Sequence, residues 1–371
     1  MTDELPPEPD RAPGTPHPRE TVALYGQDAA EAEFLGAEGS GRLHHAWLIE
    51  GPRGVGKATL AWRIARHLIA GEGEAGLFAA PASLDMAPDH PVFRRCAALA
   101  EPRLMLIRRA ADARTGRLRS VIDVEEIRRL RGFLQLSAAD GGWRAVIVDA
   151  AEEMNASAAN ALLKFLEEPP QRVIFLLVSH QPARLLPTIR SRCRALRCAP
   201  LSAPNLARVL EAAGAVGGDA GASAEALGEL AAGSAGEALR ILGSDGLALY
   251  ADLVVLLDSL PRLDRARAVA LAGSAGNRGG EDRYALILSL IMRLMARMAR
   301  AGATGRAAPE AAPGEAALFA RLCPDPAAAR LWADLAQAIE TRADQARAVH
   351  LDPAGVILDI LLDLERAARR A

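Results

Sequence analysis

Residues 51–59 read GPRGVGKAT. The phosphate-binding loop of nucleotide hydrolases runs Gly, four residues, Gly, Lys and then Ser or Thr. Gly51, Gly56 and Lys57 fit that spacing, with Gly54 as a further glycine inside the loop. The next position is Ala58, where a hydroxyl would hold magnesium. Thr59 does not replace it, because one step along a helix turns a side chain by about 100°. The flanks suit the motif. HAWLIE (45–50) is an apolar strand leading into the loop, and KATLAWRIARHLIA (57–70) carries Leu60, Ile64 and Leu68 at helical spacing before Gly71. Glycines let backbone N–H groups approach phosphate oxygens, and the helix start adds about half a positive charge. The same residues also fit a structural loop that holds no nucleotide.

Moving outward, RAVIVDA (144–150) is a continuous apolar strand ending in Asp149. An acid at this place serves the magnesium site of such enzymes. The residue after it is commonly Glu, which orients the attacking water; here it is Ala150. Glu152 and Glu153 lie past the strand end and are expected to point elsewhere. The hydroxyl and the base belong to one reaction, and each such group is worth roughly a hundredfold or more in rate. Efficient hydrolysis is therefore not expected.

Short apolar runs alternate with helical patterns from about 21 to 201. PRLMLIRR (102–109), RVIFLLVS (172–179) and RALRCAPL (194–201) read as further strands. Asp123-Val-Glu-Glu126 opens a helix with Ile127, Leu130 and Leu134 inward, and ASAANALLKFLEE (156–168) is a helix stopped by Pro169-Pro170. Strands that are apolar throughout indicate an α/β core, a parallel sheet with helices on both faces. Residues 202–245 read as a small helical lid and 246–371 as an all-α domain. In YALILSLIMRLMARMARA (284–301), Arg293, Arg297 and Arg300 argue for a packed helix over a membrane span. Residues 1–20 hold six prolines and little to bury, so a disordered tail is expected.

The totals narrow the function classes. Half of the 371 residues are hydrophobic but only 4% are aromatic, so the core is aliphatic. A net charge of −2 excludes a globally basic nucleic-acid binder and leaves room for a local basic patch. RRAADARTGRLRS (108–120) is such a patch, with five arginines; it reads as a solvated loop or as a contact for DNA phosphate or a neighbouring chain. It lacks interleaved aromatics for base stacking. Four scattered cysteines, Cys96, Cys193, Cys198 and Cys323, do not make a disulfide framework, and no CxxC pair suggests zinc. Cys193 and Cys198 are an odd number of residues apart, which puts them on opposite faces of a strand. Residues 1–20 lack the basic, apolar start of a secretory signal, so a soluble, cytoplasmic protein is expected.

PTIRSRC (187–193), together with ANALLKFLEEPP (159–170), LLVSHQPARLLPTIRSRC (176–193) and GRLHHAWLIEGPRGVGKATLA (41–61), closely resembles bacterial DNA polymerase III clamp-loader subunits of the AAA+ class. The likeness runs from about 21 to 243 and more loosely through AVHLDPAGVILDILLDL (348–364). It implies an AAA+ core, a lid and a collar domain that holds a ring of subunits. Within this family Ala58 and Ala150 point to a non-hydrolysing partner rather than to the motor ATPase, the alternative reading. The resemblance implies that Arg192, of Ser-Arg-Cys, is an arginine finger acting in trans. It also gives Ser179 or His180, and Arg240 of the Gly233–Arg240 lid motif, as sensor-like residues. The implied partners are motor (tau/gamma-type) and delta-type subunits, and through them the sliding clamp and primer-template DNA, with no membrane. No cofactor is required; weak ATP or ADP binding at the loop stays open. Many members carry a four-cysteine zinc module where 71–101 keeps only Cys96, so no zinc is expected.

Overall fold

A computed structural model describes residues 8–11, 15–71, 83–112, 114–135, 141–215, 220–276, 281–306, 309–349 and 351–370. Two compact units emerge: Met1–Ala213 with Gly233–Glu237, and Gly214–Ala232 with Ala238–Ala371. The stretch expected to form a separate lid is therefore shared between the two units.

The first unit is built on five parallel strands: β1 (Ala46–Glu50), β2 (Leu104–Ile107), β3 (Arg144–Asp149), β4 (Val173–Ser179) and β5 (Arg194–Arg197). Their order across the sheet is β2-β3-β4-β1-β5. Helices α1 (Asp28–Gly39), α2 (Lys57–Ala70) and α3 (Pro91–Ala97) cover one face; α4 (Val124–Gln135), α5 (Ala156–Glu167) and the single turn α6 (Pro187–Arg190) cover the other. Alternate residues of each strand supply the two cores. Ile49, Ile147 and Val178 meet Phe34, Leu60 and Ile64 on one side. Leu48, Val148 and Leu177 meet Ile127, Leu130 and Leu162 on the other. Burial on both faces is why the strands lack polar alternation. Each such side chain contributes about 1.5–3 kcal/mol. Cys198 belongs to the first core and Cys193 packs against the second, as their odd spacing requires.

Residues 8–11 and 15–20 depart from the disordered tail expected over 1–20; residues 1–7 and 12–14 lie outside the described residues. His17 is fully buried, its ring edge-on to Trp62 with centroids 6.1 Å apart. Its Nε2 lies 3.0 Å from Asp10, which also pairs with Arg108. Arg66 donates to the carbonyls of Arg19 (2.9 Å) and Thr21 (3.1 Å). Composition predicted disorder because it counts apolar bulk. The described residues are instead anchored by a few charged and polar groups that find partners on the core.

Helix α7 (Ala203–Ala212) and the start of α9 (Ala235–Gly243) belong to the first unit; the second holds α8 (Ala220–Ala231), the rest of α9, α10 (Gly246–Asp258), α11 (Arg265–Ala275), α12 (Glu281–Thr304), α13 (Glu315–Leu322), α14 (Pro326–Ala348) and α15 (Pro353–Ala368). Met295 and Met298 of α12 are core residues. Arg297 is buried too; it pairs with Glu315 (Nε–Oε1, 2.8 Å), which also accepts from the Tyr250 hydroxyl at 2.5 Å. Among the described residues, no helix is long and apolar enough to cross a membrane.

Candidate functional site

The phosphate-type loop joins β1 to α2 at the carboxyl end of the sheet, where open parallel sheets place ligands. Gly51 (φ 149°) packs so closely on β5's exit that a Cβ would stand 2.3 Å from the Cys198 carbonyl oxygen. Gly54 (φ 77°) lies under the start of α9: a Cβ there would stand 2.3 Å from Ser234 Oγ. The Gly236 N–H donates to the Gly54 carbonyl at 3.0 Å. Gln27 donates to the Val55 carbonyl at 3.0 Å and to that of Ala199 at 2.8 Å, tying the loop to the segment after β5. Gly56 stands at the N-cap of α2 and offers no side chain to the first turn.

Lys57 is buried, and its Nζ donates to the carbonyls of Gly51 (2.7 Å) and Pro52 (2.5 Å). Burial lowers its pKa to about 8, against the opposing pull of Asp149 and Glu152. Asp149 is buried at the end of β3, and burial, reinforced by the charge of Asp10, pushes its carboxyl up to about 8. Ala58 and Ala150 offer methyl groups where the metal hydroxyl and the base would stand. The residues thus fit half of a magnesium nucleotide. Loop N–H groups and Lys57 are the kind of groups that would hold a phosphate, whereas a magnesium ion would lack the hydroxyl ligand at Ala58 and would meet at Asp149 a carboxyl whose pKa burial has raised.

Glu152 does not point away as expected. The chain makes a single 3₁₀ turn over Ala151–Glu153, which swings Glu152 back toward β4. Its Oε1 accepts the His180 N–H at 2.8 Å, and its charge acts on Lys57 and on His180. Glu153 diverges and pairs with Arg109 Nε at 2.7 Å. Burial, with the charge of Lys57, lowers His180 to about 4, so its imidazole is neutral at pH 7. Ser179 is fully buried at the end of β4, and its Oγ has no partner among the described residues. Asp149, Glu152, Ser179 and His180 therefore gather with Lys57 at one end of the sheet. Glu152 was expected to point elsewhere, and Gly236 was not singled out within the lid motif. A tight turn after the strand and a glycine inside the lid motif were the available signals.

Arg240 belongs to the second unit, where its Nη2 donates to Ser289 Oγ at 2.7 Å. Burial raises the Cys96 and Cys193 thiols to about 12 and Cys198 to about 11, which keeps them protonated. Among the described residues, no group of three or more His, Cys, Asp or Glu side chains could hold a metal ion.

Arg192 stands elsewhere. Arg194 pairs in register with Trp47, near the start of β1, whereas Arg197 pairs with Glu50 beside the loop. At about 3.3 Å per residue the strand separates Arg192 from its own phosphate loop by ~10 Å or more. The side chain is 36% exposed; Nη2 lies 2.8 Å from Glu167 Oε1 and Nη1 donates to the Thr188 carbonyl at 3.0 Å. Arg190 is exposed, while Arg194 pairs with Glu33 at 3.0 Å and lies over the Trp47 ring. In the arginine-rich stretch, Arg108, Arg109 and Arg119 are paired with Asp10, Glu153 and Asp123, and Asp112 caps the turn through Oδ1 to the N–H of Arg114 (3.0 Å) and Thr115 (2.9 Å).

The family model described as DNA polymerase III, delta subunit, matches residues 26–202. The DNA polymerase III subunit delta' of Pseudomonas aeruginosa is 38% identical over 167 residues, 45% of this chain and 46% of that protein. The delta' subunit of Yersinia pestis is 34% identical over 169 residues, 45% of each chain. The subunit gamma/tau of Mycobacterium bovis is 28% identical over 297 residues, 74% of this chain and 48% of that protein. The chain thus spans about half the length of the curated relatives it matches.

Proposed function

We propose that this chain, whose residues 26–202 match the DNA polymerase III delta-subunit family model, is a clamp-loader subunit of the non-hydrolysing, delta-prime type. One observation carries the reading. The chain's own site lacks hydroxyl and base at Ala58 and Ala150, while Arg192 stands partly exposed at the opposite end of the strands. An arginine that cannot reach its own loop is useful to a neighbour's. There its guanidinium donates fixed hydrogen bonds to phosphate oxygens and stabilises charge that develops as the terminal phosphate leaves. Such fingers are worth on the order of 10³–10⁵ in rate in GTPases.

In this reading the chain is a rigid cytoplasmic partner with little or no ATPase of its own. It assembles with tau/gamma-type motor and delta-type subunits, and the complex loads the sliding clamp onto primer-template DNA. A lid and a helical collar complete the three-part organisation. The loop retains at most weak ATP or ADP binding, and no zinc is needed.

The motor reading has one observation in its favour: the gamma/tau match covers more of the chain than the delta' matches do. The deciding experiment reconstitutes the loader with the same organism's motor and delta-type subunits. DNA- and clamp-stimulated ATPase is measured for wild type and Arg192→Ala, with each chain also assayed alone. The proposal expects an inactive isolated chain, a stimulated complex, and loss of stimulation in Arg192→Ala with assembly intact. Robust turnover by the isolated chain would establish the motor instead.

A further inference from the structure

We infer that Glu167 is the positioning residue for Arg192, holding the guanidinium oriented for a phosphate group on a neighbouring subunit's nucleotide. This rests on the trans-acting reading above. Glu167 is the last residue of α5, and its Oε1 lies 2.8 Å from Arg192 Nη2. The second anchor is the Thr188 carbonyl, which accepts from Nη1 at 3.0 Å. A guanidinium carries five N–H donors in a planar fork. The two anchors use two of them and leave three, the Nε–H included, for an incoming phosphate. Tether and phosphate can therefore be satisfied at once, and the tether need not break for the finger to work.

The pair contributes little to folding. Both side chains are partly in solvent, 36% and 48% exposed, and exposed pairs are weak because water screens them. Glu167 is also poorly placed for its own helix. A carboxylate at a helix C-terminus meets the negative end of the dipole, where a cation belongs. Arg192 supplies that cation, so α5's end and Glu167 together attract the guanidinium to one place. What the arrangement achieves is order in a long side chain at the rim of the sheet. Freezing one such rotamer-rich side chain before the encounter corresponds to about a two- to tenfold gain.

The test uses the full chain in the reconstituted loader, with Glu167→Ala, Glu167→Gln, Arg192→Ala and the Glu167→Ala/Arg192→Ala pair. Steady-state kcat and KM for ATP are measured, with thermal unfolding and gel filtration as checks on folding and assembly. The expected result is a two- to tenfold fall in kcat for Glu167→Ala with KM nearly unchanged. Glu167→Gln, which keeps the acceptor and loses the charge, recovers part of it. In the Arg192→Ala background Glu167→Ala has no further effect. An equal fall in both backgrounds would make Glu167 structural and overturn the inference. An unchanged kcat in Glu167→Ala, with Arg192→Ala inactive, would overturn it and leave the finger standing. If Arg192→Ala itself leaves the ATPase unaltered, the trans-acting reading falls and takes this inference with it.

Discussion

Gly236 donates its N–H to the Gly54 carbonyl at 3.0 Å, and a Cβ on either residue would stand 3.1 Å from the other's Cα. The start of α9 is thus seated directly on the phosphate-type loop, backbone against backbone. Two glycines permit it, one in the loop motif and one in the lid motif. A side chain on either would force the two segments apart.

This seam predicts an order of stabilities. Gly236→Ala adds one methyl against backbone, an overpacking expected to cost about 1–3 kcal/mol. Gly54→Ala adds the same contact, a 2.3 Å clash with Ser234 Oγ, and left-handed backbone at φ 77°, which alone costs about 1–2 kcal/mol for a non-glycine residue. Urea unfolding is expected to place Gly54→Ala below Gly236→Ala, and both below wild type. Equal midpoints for all three would mean the seam does not hold in solution.

Asp149 predicts a pH dependence. Its carboxyl titrates near 8 in the folded chain because of burial, and near 3.9 when unfolded. A carboxyl with a raised pKa stabilises the fold fully below the unfolded value. That contribution fades as pH rises and is lost once pH passes about 8. Asp149→Asn keeps the shape and cannot ionise. Wild-type stability is therefore expected to fall more steeply than the variant's between about pH 4 and 8, with parallel curves above. Unfolding midpoints at pH 5, 7 and 9 check the slope.

The Arg297–Glu315 pair predicts a non-additive result. Glu315→Ala leaves a buried guanidinium without its main partner and is expected to cost about 3–5 kcal/mol. Replacing both residues, as Arg297→Met with Glu315→Leu, removes both charges and is expected to recover most of that loss. Denaturant titration of the two single variants and the double variant completes the cycle. A double variant as unstable as the sum of the singles would contradict it.

The N-terminal segment predicts that its removal is felt. His17→Ala removes a fully buried ring from Trp62 and one partner from Asp10, a loss of about 1–3 kcal/mol. Deleting residues 1–20 is expected to lower the thermal midpoint further and to alter tryptophan fluorescence. An unchanged midpoint in both would mean that the segment is detached in solution.

Much of the first unit was legible because its signals are local. HAWLIE, RAVIVDA and RVIFLLVS became β1, β3 and β4 within a residue or so, since a strand buried on both faces is apolar at every step. Lys57–Ala70 matched its expected helix at both ends, where a loop glycine and Gly71 bound it. Glu152 was misread because a one-turn 3₁₀ helix carries no periodic signal. The tail was misread because Asp10, His17 and Arg19 look like solvated residues until their partners, about 45 to 100 residues away, are in place.

Resemblance to clamp-loader subunits is what pointed to Arg192, and the sequence alone determined the parallel α/β core and the phosphate-type loop with its missing hydroxyl and base. Those depend on residue type at short spacing, which the chain carries wherever it folds. Only the tertiary structure decided that Arg192 lies at the far end of the sheet from its own loop, tethered to Glu167. It also decided that Gly236 seats α9 on Gly54, and that burial of Asp149 holds its proton at neutral pH. Register, close backbone approach and desolvation arise between residues distant along the chain, and spacing carries no record of them.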